Sequence, residues 1–148
     1  MSKKLKLLAI VPHLQAGGSE RVMINVVNHL DRQAFDPLLA TIDRRGALRE
    51  HVAEDIPIVD LDCKHARYSI PKLKRLIDRE RVQLVFFMKA HLVPAVLLAC
   101  ALSSPKPPVV YREVIHKTSD LGDSHINLLR TKFATKQIYK RLPTIVVP

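Results

Sequence analysis

Apolar positions along the chain follow two alternating patterns. Leu5-Lys6-Leu7-Leu8-Ala9-Ile10-Val11 is a near-continuous apolar run, as expected of a strand buried on both faces. Beyond a short loop, Val22, Met23, Val26, Val27 and Leu30 recur at helical spacing, which predicts a helix from Ser19 to Leu30. Leu38–Ile42 predicts a second strand, followed by a turn at Arg44-Arg45-Gly46 and a short helix over Ala47–Glu54. Ile56–Leu61 predicts a third strand, and Pro57 within it favours a sheet edge because proline cannot donate a ladder hydrogen bond. With Ser69 as a candidate N-cap, the helix Pro71–Arg81 sets Leu73, Leu76 and Ile77 against a charged opposite face.

Gln83–Met88 is apolar nearly throughout, as in a central strand, and leads to Lys89-Ala90-His91. Pro94 suits the first turn of a helix running to Leu102, and the Pro-rich stretch Ser103–Pro108 ends it. Val109–Arg112 predicts a fifth strand, Ile115–Ser124 a polar loop, Ile126–Leu142 a basic helix and Thr144–Val147 a sixth strand. Strands alternating with helices predict an α/β fold: a Rossmann-like three-layer α/β/α sandwich with a mainly parallel six-stranded sheet in the order 3-2-1-4-5-6. That order sets the first and fourth strands side by side, so the glycine turn after one and His91 after the other would line one crevice.

Composition narrows the partners. The 148 residues fit one domain, and 24 Lys+Arg against 14 Asp+Glu leave a net charge of +10 and a pI near 10.0. This balance favours an anionic partner: nucleic acid, an anionic membrane face or a phosphorylated substrate. With three Tyr, four Phe, no Trp and no basic–aromatic interleaving, nucleic acid is the least favoured of these. The basic faces Lys72–Arg81 and Arg130–Arg141 read as solvated surface or as a patch for anionic headgroups. Cys63 and Cys100 are isolated, which favours reduced buried thiols over a disulfide or zinc site. No cleavable leader is evident, and the apolar block Leu92–Leu102 is too short to span a bilayer. The expected location is cytoplasmic, with any membrane attachment peripheral on the inner face.

The candidate chemistry centres on Gln15-Ala16-Gly17-Gly18-Ser19-Glu20-Arg21. It fits neither G-x-G-x-x-G nor a P-loop, and no G-x-S-x-G elbow occurs. Two adjacent glycines at a helix start let the backbone approach a ligand, and the free N–H groups there favour a negative oxygen. Ordinary strand-to-helix punctuation is the plainer alternative. Glu20 suits the helix dipole. His91 is either a cleft residue or a satisfied strand-end histidine. His13 is a loop residue that could meet a ligand or solvent. Arg112 and Glu113 face the same crevice edge, where a local ion pair is the alternative; His116 and Lys117 are weaker candidates. No His/Asp/Glu set has metal-ligand spacing, so no metal is expected.

The stretch LLAIVPHLQAGGSERVMINVVNHL resembles the opening of the family-four glycosyltransferases of GT-B fold, in which a strand runs into a Gly-Gly-x-Glu turn and a helix. Phe86–His91 is similar to the strand that ends in a histidine at the cleft. Val109–Glu113 is similar to the strand leading to acceptor-side residues, and Ile138–Val147 to the helix–strand pair closing the N-terminal half. The resemblance implies a retaining transferase that moves a sugar from a nucleotide-diphosphate donor to a hydroxyl acceptor, with no cofactor. It assigns Gly17 and Gly18 to the donor diphosphate, makes His91 the candidate catalytic residue, and puts His13, Glu20, Arg112 and Glu113 on the acceptor side. The partners it implies are a nucleotide sugar and a glycan or lipid-linked acceptor, in cell-surface or lipid-linked glycan synthesis. It further implies that residues 1–148 form a truncated N-terminal domain, inactive alone, whose C-terminal donor-binding domain is absent. A non-catalytic basic Rossmann-like module docking on a membrane or an acidic partner is the alternative.

Overall fold

A computed structural model describes residues 4–112 and the backbone of Thr144–Val147. Its elements follow in the order β1 (Leu5–Val11), α1 (Gly18–Asn28), β2 (Phe35–Thr41), β3 (Ile58–Asp60), α2 (Ile70–Glu80), β4 (Leu84–Phe87), α3 (Val93–Leu102), β5 (Val109–Arg112) and β6 (Thr144–Val147). Short 3-10 turns lie at Ala47–His51, Ala66–Ser69 and Ala90–Leu92. Every strand pairing is parallel, and the six strands are ordered β3-β2-β1-β4-β5-β6, as the element pattern predicts. The loop Ile115–Ser124 and the helix Ile126–Leu142 lie outside the described residues, as do Glu113, His116 and Lys117.

Alternation along β1 divides the core. Leu8 and Ile10 join Leu73, Leu76, Ile77, Val96 and Leu97 beneath α2 and α3. Leu7, Ala9 and Val11 join Met23, Ile24 and Val27 of α1, together with Leu48. Helices therefore cover both faces. α3 is apolar on all sides: Ala95, Val96 and Leu97 are buried, while Leu98 and Leu102 remain exposed. Both cysteines are buried free thiols, and burial pushes Cys100 up to about 12, which makes it unreactive.

Several local expectations change. Ser69 holds the N-cap position of α2 but makes no side-chain cap bond: it ends the preceding 3-10 turn, and its hydroxyl donates to the Ala66 carbonyl at 2.6 Å. The stretch Ala47–Glu54 forms only the 3-10 turn Ala47–His51. β2 starts at Phe35 and carries Pro37 inside it, where β1 is the neighbour and β3 has not yet begun. β3 is confined to Ile58–Asp60, and it does form a sheet edge, with Pro57 just before it.

Gly46 connects β2 to the glycine loop. Its φ of +133° belongs to glycine, and a Cβ there would lie 1.9 Å from the Leu14 carbonyl carbon. Around that contact the Leu14 N–H donates to Arg45 O at 2.9 Å, and the Leu48 N–H donates to Leu14 O at 2.9 Å. The β2 exit thus holds the β1–α1 loop by its backbone. Gly46→Ala is expected to cost about 3 kcal/mol, because backbone strain and a backbone clash add. Urea unfolding of the variant measures it, and a stability equal to wild type would contradict the contact.

Candidate functional site

The chain leaves β1 toward β2 and returns to β4 on the other side of β1. The carboxyl ends of β1 and β4 are therefore neighbours with diverging connections, as the pairing Ile10↔Phe87 shows. Such a divergence leaves a crevice at the strand ends. From β1 come Pro12, His13 and the loop to Gly17; from β4 come Met88, Lys89 and the 3-10 turn holding His91.

The two glycines have different surroundings. Gly17 is the N-cap of α1, in an extended conformation. A Cβ on it would stand 2.1 Å from Glu20 Oε2, so the space beside Gly17 is filled by the protein's own carboxylate. Gly18 opens the helix, and nothing lies within 4 Å of where its Cβ would be. Among the described residues, the Gly18 and Ser19 N–H groups find no acceptor. The open part of the turn is thus Gly18 and the helix N-terminus behind it, while Gly17 is backed by the Glu20 carboxylate. A missing Cβ and unsatisfied donors at a helix start are what an anionic oxygen needs.

Glu20 is 2 % exposed. Its Oε2 accepts the Ser19 hydroxyl at 2.9 Å, and the Lys89 ammonium stands 3.3 Å from Oε1. That approach is an ion pair by distance, but it lacks hydrogen-bond alignment, and Oε1 has no hydrogen-bond partner among the described residues. Burial alone would raise the Glu20 pKa. The Ser19 hydroxyl, the residue's own N–H and Lys89 outweigh burial and hold the carboxyl below its usual range. Glu20 is therefore an ionised internal fixture. A small pocket beside it is lined by Val11, Pro12, Ser19, Met88 and Lys89, among others.

His91 is solvent-accessible at the crevice. Partial burial is the largest influence on it, followed by the charges of Lys89 and His13; Glu20 pulls the other way, and the net effect holds its pKa below the ordinary histidine value. A neutral imidazole that can accept a proton is the result at pH 7. His13 is half-buried, and its Nδ1 accepts the Gln15 N–H at 3.4 Å. The structure therefore brings Gly18, Glu20, His13 and His91 to one place. Arg112 is exposed at the carboxyl end of β5, and Glu113 lies outside the described residues. Among the described residues no group of three or more His, Cys, Asp or Glu could hold a metal ion, and no helix is long and apolar enough to cross a membrane.

Two site residues escape the sequence patterns. Lys89 has no assigned role in the sequence beyond its place at a strand end, and only the β1–β4 adjacency reveals Glu20 as its partner. Gly46 reads as an ordinary turn glycine until its contact with Leu14 is seen.

A family model described as Glycosyltransferase Family 4 matches residues 16–148. No curated protein matches the chain.

Gly18→Ala is expected to keep stability within about 1 kcal/mol of wild type, since the added methyl meets open space. Gly17→Ala must expel the Glu20 carboxylate from its seat and is expected to cost about 1–3 kcal/mol. Thermal unfolding of the pair compares them, and equal melting temperatures would refute the distinction.

Proposed function

The chain belongs to glycosyltransferase family 4, and we propose that it serves there as the acceptor-side domain of a retaining transferase that uses a nucleotide-diphosphate sugar. The observation that supports this most directly is the convergence of the open Gly18 helix start and the neutral His91 at the β1–β4 crevice.

In this proposal the donor diphosphate approaches Gly18 and the unsatisfied N–H groups of α1. As the bond between the anomeric carbon and the diphosphate oxygen breaks, negative charge grows on that oxygen. Fixed N–H dipoles already aimed at it stabilise the change without reorganising. The acceptor hydroxyl oxygen forms the new bond to the anomeric carbon, and its proton leaves with the diphosphate. His91 lies within the same crevice and holds a sugar or acceptor hydroxyl in position by accepting its hydrogen bond. His13 and Arg112 border the acceptor side. In this reading the nucleotide is held by a facing domain, and residues 1–148 on their own are expected to bind donor weakly and turn over little.

The expected result is micromolar-to-millimolar donor binding by this chain, on the order of weak ligand affinities. In the protein joined to its donor domain, His91→Ala should lower kcat/KM by roughly 10²-fold with stability unchanged. Calorimetry with a panel of nucleotide sugars and steady-state assays measure these. Full turnover by the His91 variant, or tight nucleotide binding by this chain alone, would refute the assignment.

A membrane-linked acceptor is favoured by one surface. Ion pairs occupy Lys74 (with Asp78) and Arg79 (with Glu80), and Lys72 is bound to the Leu61 carbonyl. Among the described residues this leaves Lys64, Arg67, Arg75 and Arg81 exposed and outside these ion pairs, and Tyr68, 55 % exposed, has the Arg67 guanidinium 4.8 Å above its ring. An exposed aromatic among cations suits an anionic lipid interface. Co-sedimentation with anionic vesicles at low salt should fall several-fold in Arg67→Glu/Arg75→Glu; unchanged sedimentation would remove this surface from consideration.

A further inference from the structure

We infer that Lys89 is a positioning residue: it cancels the buried charge of Glu20, so that the α1 N-terminus stays electropositive toward a phosphate oxygen. This rests on the diphosphate reading of the same site.

Glu20 has a structural task. Its Oε2 occupies the space that a side chain at Gly17 would fill and accepts the Ser19 hydroxyl, so it fixes the turn from within. That task carries an electrostatic cost. A helix N-terminus presents the equivalent of about half a positive charge. A full negative charge inside its first turn outweighs that, and an anion arriving at Gly18 would meet net repulsion. Among the described residues, the cation that answers this carboxylate is Lys89, at 3.3 Å from Oε1. With the pair neutral, the N–H groups of Gly18 and Ser19 keep their attraction.

Oε1 makes the argument more than a generic one. It is buried and lacks a hydrogen-bond donor among the described residues, and Glu20 lines the small pocket shared with Ser19 and Met88. An ionised, half-satisfied carboxylate beneath an anion site is tolerable only while its counter-ion stays. Lys89 lies just beyond β4 and Glu20 in α1, so the pair also couples the glycine turn to the segment that carries His91.

The test is calorimetric titration of the chain with inorganic pyrophosphate at low salt, for wild type, Lys89→Met, Lys89→Arg, Glu20→Gln and the double variant Glu20→Gln/Lys89→Met. Lys89→Met should weaken binding about tenfold or more, and Lys89→Arg should stay within about threefold of wild type. The double variant should recover to within about threefold, because both charges leave together. Unchanged binding by Lys89→Met overturns the inference. So does a double variant as weak as Lys89→Met, since Lys89 would then act directly on the anion. Should Lys89→Met fail to fold, Glu20→Gln decides: it should bind at least as tightly as wild type, and weaker binding overturns the inference. A wild-type chain that does not bind pyrophosphate removes the diphosphate reading and this inference with it; binding by wild type with Lys89→Met unaffected removes the inference alone.

Discussion

Parallel strands joined by right-handed crossovers can be laid down in only one direction at a time, and this chain changes direction once, at β1. β2 and β3 are added on one side and β4, β5 and β6 on the other. At the change, two neighbouring strands send their connections to opposite faces, and no helix can close the gap between them. The position of the crevice follows from this. So does the identity of its walls, because whatever follows β1 and whatever follows β4 must meet there. Met88 and Lys89 on one side, and Pro12 and His13 on the other, are placed by topology before any side-chain chemistry acts.

Much of this is readable from the residues themselves. Each strand announces itself as a short apolar run, and α2 separates Leu73, Leu76 and Ile77 from its charges cleanly enough to orient it on the sheet. The glycine pair and His91 stand out because the strand order sets the ends of β1 and β4 side by side. What escapes depends on contacts between segments distant in sequence. Ser69 has the composition of a cap, but a competing acceptor at Ala66 takes its hydroxyl. Gly17 and Gly18 are indistinguishable in sequence, and only the fold-back of Glu20 gives them separate roles. Lys89 carries the same charge as many other lysines and arginines in a basic chain, so its burial partner leaves no local trace.

The same comparison applies to charge. A net of +10 invites an account of the whole surface as a polyanion platform. In the fold much of that charge is spent locally: Lys6 pairs with Asp36, Arg49 with Asp60, and Arg32 with Asp55 while its guanidinium also donates to the Val27 and Leu30 carbonyls at the end of α1. Exposed pairs of this kind add little stability. Their consequence is spatial, since they confine the uncompensated cations to particular patches.

The stitching of Leu14 to the Gly46 turn bears on how the chain can vary. By secondary structure the stretch from Pro12 to Gly17 is a loop, and loops are where insertions and deletions are usually absorbed. Here two backbone hydrogen bonds fix Leu14 against the β2 exit, and Gly17 must arrive at the helix start with Glu20 folded over it. Only Gln15 and Ala16 stand between those anchors, both exposed. One residue more or fewer would detach either the anchor or the cap. Length variation is therefore barred from the most loop-like part of the site, and diversification has to proceed there by exchanging side chains at constant spacing.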